Sequence, residues 1–109
     1  MKTFLTLAVL SASLILARSH ELPIFCYLDN NELKQFVVCV RERFPKEAVA
    51  LWDVCRDRIL PGQDDSTAVK IVCTPEKKGR ELATCFDPMI ELQKERLGKI
   101  VYECFFESQ

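Results

Sequence analysis

The chain has 109 residues, with 15 lysines and arginines, 16 aspartates and glutamates, one histidine and six cysteines. That length holds one small domain, and a net charge of −1 argues against nucleic acid as partner and against simple cationic attack on anionic membranes. Six cysteines with no C-x-x-C pair argue for three disulfides rather than a zinc site.

Residues 1–19 have the pattern of a secretory signal peptide. Lys2 supplies the positive start, residues 4–17 are apolar apart from Thr and Ser, and small residues follow at Ala17 and Ser19. The run is shorter than the ~20 apolar residues a membrane span needs, and no later segment is apolar enough to cross. The expected product is therefore a secreted chain of residues 20–109 forming a single six-cysteine helical domain. Loss of Lys2 and Arg18 leaves 13 basic against 16 acidic side chains, a net charge of −3.

Residues 20–25, HELPIF, carry Pro23 and no periodicity, and read as an extended arm leading to Cys26. A first helix is expected over about 30–43. Asp29 and Glu32 stand in the capping-box positions, and Leu33, Phe36, Val37, Val40 and Phe44 recur at helical spacing. A second helix begins at Pro45, where a missing N–H is harmless. Its stripe is Ala48, Leu51, Trp52, Cys55 and Ile59, with Trp52 as core anchor, and Pro61-Gly62 stops it. Asp64 or Asp65 caps a short third helix through Cys73, burying Val69, Val72 and Cys73. Thr74-Pro75-Glu76 reads as the start of a weaker fourth helix to about Cys85, containing Gly79. Asp87-Pro88 repeats the cap-then-proline device and opens the last helix, 88–104, with Ile90, Gln93, Leu97, Val101 and Cys104 in line. Glu76–Arg80 and Glu95–Lys99 suit exposed faces. The fold class is all-α: four or five short helices stapled by disulfides, expected as a monomer. The six cysteines Cys26, Cys39, Cys55, Cys73, Cys85 and Cys104 allow fifteen pairings.

The stretch 26–44, CYLDNNELKQFVVCVRERF, resembles the start of the mature microplusin and hebraein family of secreted tick antimicrobial proteins. The likeness lies in the twelve residues between Cys26 and Cys39 and in the Val40, Arg41 and Arg43 that follow. It extends loosely to mature length, cysteine number and a cysteine near the C-terminus, whereas the Cys39–Cys55–Cys73 spacing departs from the family. The resemblance implies nested disulfides, Cys26–Cys104, Cys39–Cys85 and Cys55–Cys73, which would set the N-terminal arm beside the C-terminal tail. It also implies host defence by sequestering copper or iron, with histidines near both chain ends as ligands. This chain has His20 alone, and its tail FFESQ has none.

His20 is the candidate metal ligand. Cleavage after Ser19 makes it the first residue, with amine and imidazole as donors. Cleavage after Ala17 leaves Arg18-Ser19-His20, whose amine, two backbone nitrogens and imidazole form a planar set suited to Cu(II). Glu21 or Glu107 could add an oxygen. The bland reading is a solvated histidine at a frayed end. No catalytic residue is assigned: the lone histidine has no held nucleophile beside it, and paired cysteines offer no thiolate. Asp64-Asp65 reads as a cap or a solvated pair. Arg41/Arg43/Lys46 and Lys77/Lys78/Arg80 are candidates for a microbial surface, but interspersed acids favour ordinary solvated faces. Phe105-Phe106 is expected to pack over the last disulfide, with an exposed contact patch as the alternative.

Two functions follow as expectations. The first is a secreted, non-enzymatic host-defence protein, bacteriostatic or fungistatic, acting through copper or iron. The second is a secreted binding protein without metal, holding a small apolar ligand or blocking a protein target. Odorant-binding proteins are one helical six-cysteine comparison, though their short cysteine spacings are missing here. An apolar cavity lined by Phe36, Trp52 and Val101 would favour the second.

Overall fold

The computed structural model describes residues 22–109. The signal-peptide assignment, His20 and Glu21 lie outside the described residues. Helical periodicity becomes five helices, with no strand among the described residues: α1 Asn30–Arg43, α2 Lys46–Ile59, α3 Asp65–Val72, α4 Lys77–Leu92 and α5 Lys94–Glu107.

The local signals explain most of the boundaries. In α1 the Asp29 carboxylate accepts from Glu32 N–H at 2.8 Å, and Glu32 accepts from Asp29 N–H at 2.9 Å. Pro45 is the N-cap of α2. At the other end Gly62 takes φ +82°, the left-handed turn that glycine adopts without strain. Lys78 Nζ donates to the Ile59 carbonyl at 3.2 Å, satisfying a group the helix end leaves free. Asp64, not Asp65, caps α3 by accepting from Thr67 N–H at 2.8 Å. The bond from Thr67 holds the Asp64 carboxyl below its ordinary pKa.

Three expectations are corrected. Residues 20–25 are not all extended, because Ile24–Tyr27 forms one 3-10 turn. Thr74 does not open α4. Its Oγ1 donates to the Ile71 carbonyl at 2.7 Å and so finishes α3, and α4 starts at Lys77 after Glu76. Asp87-Pro88 does not separate two helices either: Pro88 lies inside α4, which runs on to Leu92. A helix-interior proline forfeits one hydrogen bond, but Phe86 and Met89 on either side of it pack into the same apolar cluster, and that packing carries the helix across. The break comes at Gln93, which has φ −128° and ψ 43°.

The disulfides are Cys26–Cys73, Cys39–Cys104 and Cys55–Cys85. All six cysteines pair, but not in the nested order that the resemblance implies. Cys39 and Cys104 join α1 to α5, Cys55 and Cys85 join α2 to α4, and Cys26 and Cys73 tie the N-terminal turn to the end of α3. The physical reason lies in which helices lie side by side. α2 packs on α4 and α1 on α5, and these are the neighbours their cysteines can reach. The N-terminal turn still lies against α5, through Phe25 and Leu28 beside Cys104 and Phe105.

The apolar side chains form three clusters rather than one. Leu33, Phe36 and Cys104 centre the α1–α5 half, and Cys55, Leu60, Ala68 and Leu82 centre the α2–α3–α4 half. Ala48, Phe86 and Leu97 link the two. Gly79 is buried where α4 crosses α3, and a Cβ there would stand 2.2 Å from the Ile71 carbonyl oxygen. The glycine that weakened the sequence case for this helix is what lets the two backbones meet.

Two outcomes follow. Proteolytic peptides of the unreduced protein should be linked as Cys26–Cys73, Cys39–Cys104 and Cys55–Cys85 by mass spectrometry. In urea denaturation, Gly79→Ala should destabilise by about 1–3 kcal/mol, the cost of overpacking. Helix propensity alone would instead favour alanine by up to about 1 kcal/mol. Gly98→Ala is the control: a Cβ there meets nothing within 4 Å, so that variant should hold or gain stability.

Candidate functional site: an apolar cleft between two helix pairs

Where the three clusters meet they leave an apolar cleft of about 510 Å³. Its walls come from every helix. The N-terminal turn and α1 contribute Phe25, Phe36, Val37 and Val40, with Phe44 just beyond. Val49 and Trp52 come from α2, Val69 and Val72 from α3, Ala83, Phe86 and Ile90 from α4, and Leu97 and Val101 from α5. Phe36, Trp52 and Val101 thus all line the same cleft. Several residues of the sequence stripes, including Val37, Val40, Trp52, Val69 and Val101, are only half-buried. They pack against the core clusters on one side and face the cleft on the other.

Aromatic packing shapes the space. Phe25 stacks on Phe36 with centroids 5.4 Å apart, Phe44 lies parallel to Phe86 at 6.5 Å, and Trp52 meets Phe86 edge-on at 5.8 Å. Trp52 is a core anchor, as expected, and also a wall. Its indole N–H donates to Asp65 Oδ1 at 2.8 Å.

Asp65 is the polar hub that sequence reasoning missed. Besides Trp52 it receives Arg56, and its Oδ2 accepts from Arg41 Nη1 at 2.9 Å. Arg41 Nη2 reaches both oxygens of Asp53 at 2.8 and 2.9 Å. The network ties α1, α2 and α3 together at the edge of the cleft. Burial works to lower the Arg56 pKa, but the hydrogen bonds to Asp65 and Asp57 outweigh it and raise the pKa, so this guanidinium stays charged. Nothing in the spacing of Arg41, Asp53, Arg56 and Asp65 announces the arrangement, because it spans three helices. No buried side-chain nitrogen or oxygen among the described residues lacks a hydrogen-bond partner.

The other sequence candidates are placed as follows. His20 and Glu21 lie outside the described residues. Glu107 is engaged by Arg43 at 2.6 and 2.9 Å, and that bond holds its carboxyl below the ordinary value. Among the described residues no three His, Cys, Asp or Glu side chains come together as metal donors. Within the basic clusters, Arg41 and Arg43 are spent on carboxylates, Lys78 and Arg80 donate to backbone carbonyls, and Lys77 lies 3.9 Å from Glu81. Phe105 packs beside Cys104, whereas Phe106 is exposed and meets Tyr102 edge-on. A separate shallow depression of about 410 Å³ beside Cys39 is lined mainly by polar and charged side chains, including Lys34, Glu42, Arg43 and Glu107. No helix among the described residues is long and apolar enough to cross a membrane. No protein-family model, curated protein or solved structure matches the chain.

Asp65→Ala strands the Trp52 N–H and leaves the mostly buried Arg56 only Asp57 and Asp53, and should destabilise by about 1–3 kcal/mol in urea denaturation. Asp65→Asn keeps an acceptor for Trp52 and should cost less. A loss under ~0.5 kcal/mol for the alanine variant would make the network no more than an ordinary surface ion pair.

Proposed function

We propose that the protein is a secreted, non-enzymatic binding protein that carries a small apolar ligand in the cleft between its helix pairs. The carrying observation is the cleft itself. At about 510 Å³ it falls within the ~300–1,000 Å³ range of small-molecule sites. Its walls are mainly aliphatic and aromatic; among the polar lining groups Trp52 Nε1, Asp65 and Arg41 already hold partners inside the protein, and Asp87 and Lys94 are exposed. A ligand without hydrogen-bonding groups along its body therefore loses nothing on entry, whereas a polar one would leave its own groups unmatched. An exposed apolar groove of this kind is a common form of ligand-binding site. The leader pattern of residues 1–19 and three disulfides support an exported protein.

Host defence by copper or iron sequestration rests on His20 and on the resemblance of residues 26–44. No donor cluster among the described residues adds to it, so the apolar-ligand reading is preferred.

The fluorescent probe N-phenyl-1-naphthylamine should bind the mature protein saturably and one-to-one, quenching Trp52 by energy transfer. Val40→Phe and Val101→Phe fill the cleft and should weaken binding by about tenfold or more, ~1.4 kcal/mol, with circular dichroism unchanged. Absence of saturable binding, or equal affinity in folded filled variants, overturns the proposal.

A further inference from the structure

The two helix groups on either side of the cleft are each stapled within themselves. One is the N-terminal turn with α1 and α5, closed by Cys39–Cys104, and the other is α2, α3 and α4, closed by Cys55–Cys85. The chain passes between them at Phe44-Pro45 and again at Gln93. Those two passages lie together: Gln93 Nε2 donates to Glu47 Oε2 at 3.1 Å, and Phe44 and Met89 pack with Ala48, Phe86 and Leu97. Cys26–Cys73 also joins the two halves, but at the opposite end of α4. Backbone atoms of Ile71 and Thr74 lie against Gly79, in the first turn of that helix, and so hold Cys73 there. Gln93 caps the other end, about 20 Å away at ~1.5 Å per residue. The cleft spans this distance: Phe25 and Val72, each preceding a bridged cysteine, line it, and so do Phe44, Phe86 and Leu97. Between its ends the halves meet through non-covalent contacts, Val69 against the α1–α5 cluster and Arg41 on Asp53 and Asp65. The N-terminal turn buries none of its residues, and Cys26 and Cys73 are both half-buried, whereas each of the other bridges contains a cysteine with no exposed surface.

Resting on the apolar-ligand reading, we infer that the cleft is hinged at Pro45 and Gln93 and clasped by Cys26–Cys73, so that this bridge governs ligand exchange rather than the fold. Parting the halves at the α3 end widens the cleft, and the bridge, with its Cα atoms 5.6 Å apart, limits that motion. Each half keeps its own apolar cluster and its own disulfide, so neither needs the clasp to stay packed. The Val69 and Arg41 contacts are non-covalent and re-form after each opening. A ligand that enters and leaves only through the open form has both rate constants scaled by the open fraction, while its affinity is set by the dominant closed form.

The test is stopped-flow binding of the naphthylamine probe to the mature protein and to its Cys26→Ser/Cys73→Ser variant. Association and dissociation rate constants should both rise, by about three- to tenfold, while Kd moves by less than about twofold. Unchanged rate constants overturn the clasp and leave the cleft reading intact. A faster dissociation alone, with Kd weakened to match, overturns it in favour of a bridge that merely shapes the wall. Loss of helical circular dichroism in the variant also overturns it, because the halves would then depend on the bridge to fold. Independently of any variant, brief dithiothreitol treatment of the native protein followed by alkylation should label Cys26 and Cys73 first, read by mass spectrometry. First labelling of Cys39 and Cys104, or of Cys55 and Cys85, overturns the assignment of two rigid halves. Failure of the probe to bind the unmodified protein overturns the apolar-ligand reading itself.

Discussion

Two covalent links govern this molecule. Cys39–Cys104 fastens α1 to α5, and Cys55–Cys85 fastens α2 to α4. Each pair has its own apolar cluster, so each half is held together by burial and by sulfur at once. Cross-links that close 65-residue and 30-residue separations can stabilise by ~2–4 kcal/mol each, chiefly by restricting the unfolded chain. In a domain with only ~5–15 kcal/mol of net stability, that margin lets part of the apolar surface remain unburied. The third bridge, Cys26–Cys73, keeps the N-terminal turn and Phe25 at the edge of the resulting cleft.

The seam between the halves is controlled by two kinds of contact. Ala48, Phe86 and Leu97 join them by burial. The Arg41–Asp53–Arg56–Asp65 network joins three helices by charge, and by holding the Trp52 indole it orients the largest side chain of the wall. Most exposed ion pairs contribute little. This one differs because Arg56 and Asp65 are mostly buried and because one carboxylate serves three donors. The same saturation that makes the network structural leaves the cleft interior without free polar groups, and that links packing to the kind of ligand the cleft would take.

Much of the helical architecture could be read locally. The Asp29–Glu32 capping box, Pro45 and the Pro61-Gly62 stop act over a few residues and appear where the periodic pattern places them. Local signals failed where a distant contact outweighed them. Pro88 looked like a helix start but lies mid-helix, because Phe86 and Met89 are anchored across it. Gly79 looked like a weakness but is the close approach of α3 and α4. Gln93 carries no breaker chemistry and still divides α4 from α5.

The sequence alone specified an all-helical chain, six cysteines without free neighbours of metal-site spacing, and apolar stripes containing Phe36, Trp52 and Val101. Those properties depend on period and composition, which act along the chain. The cysteine pairing, the gathering of Arg41, Asp53, Arg56 and Asp65, and the fact that those stripes face a cleft were decided only by tertiary structure. Each depends on which helices become neighbours. That choice is set by the burial of whole faces against one another, a property no short stretch of residues carries.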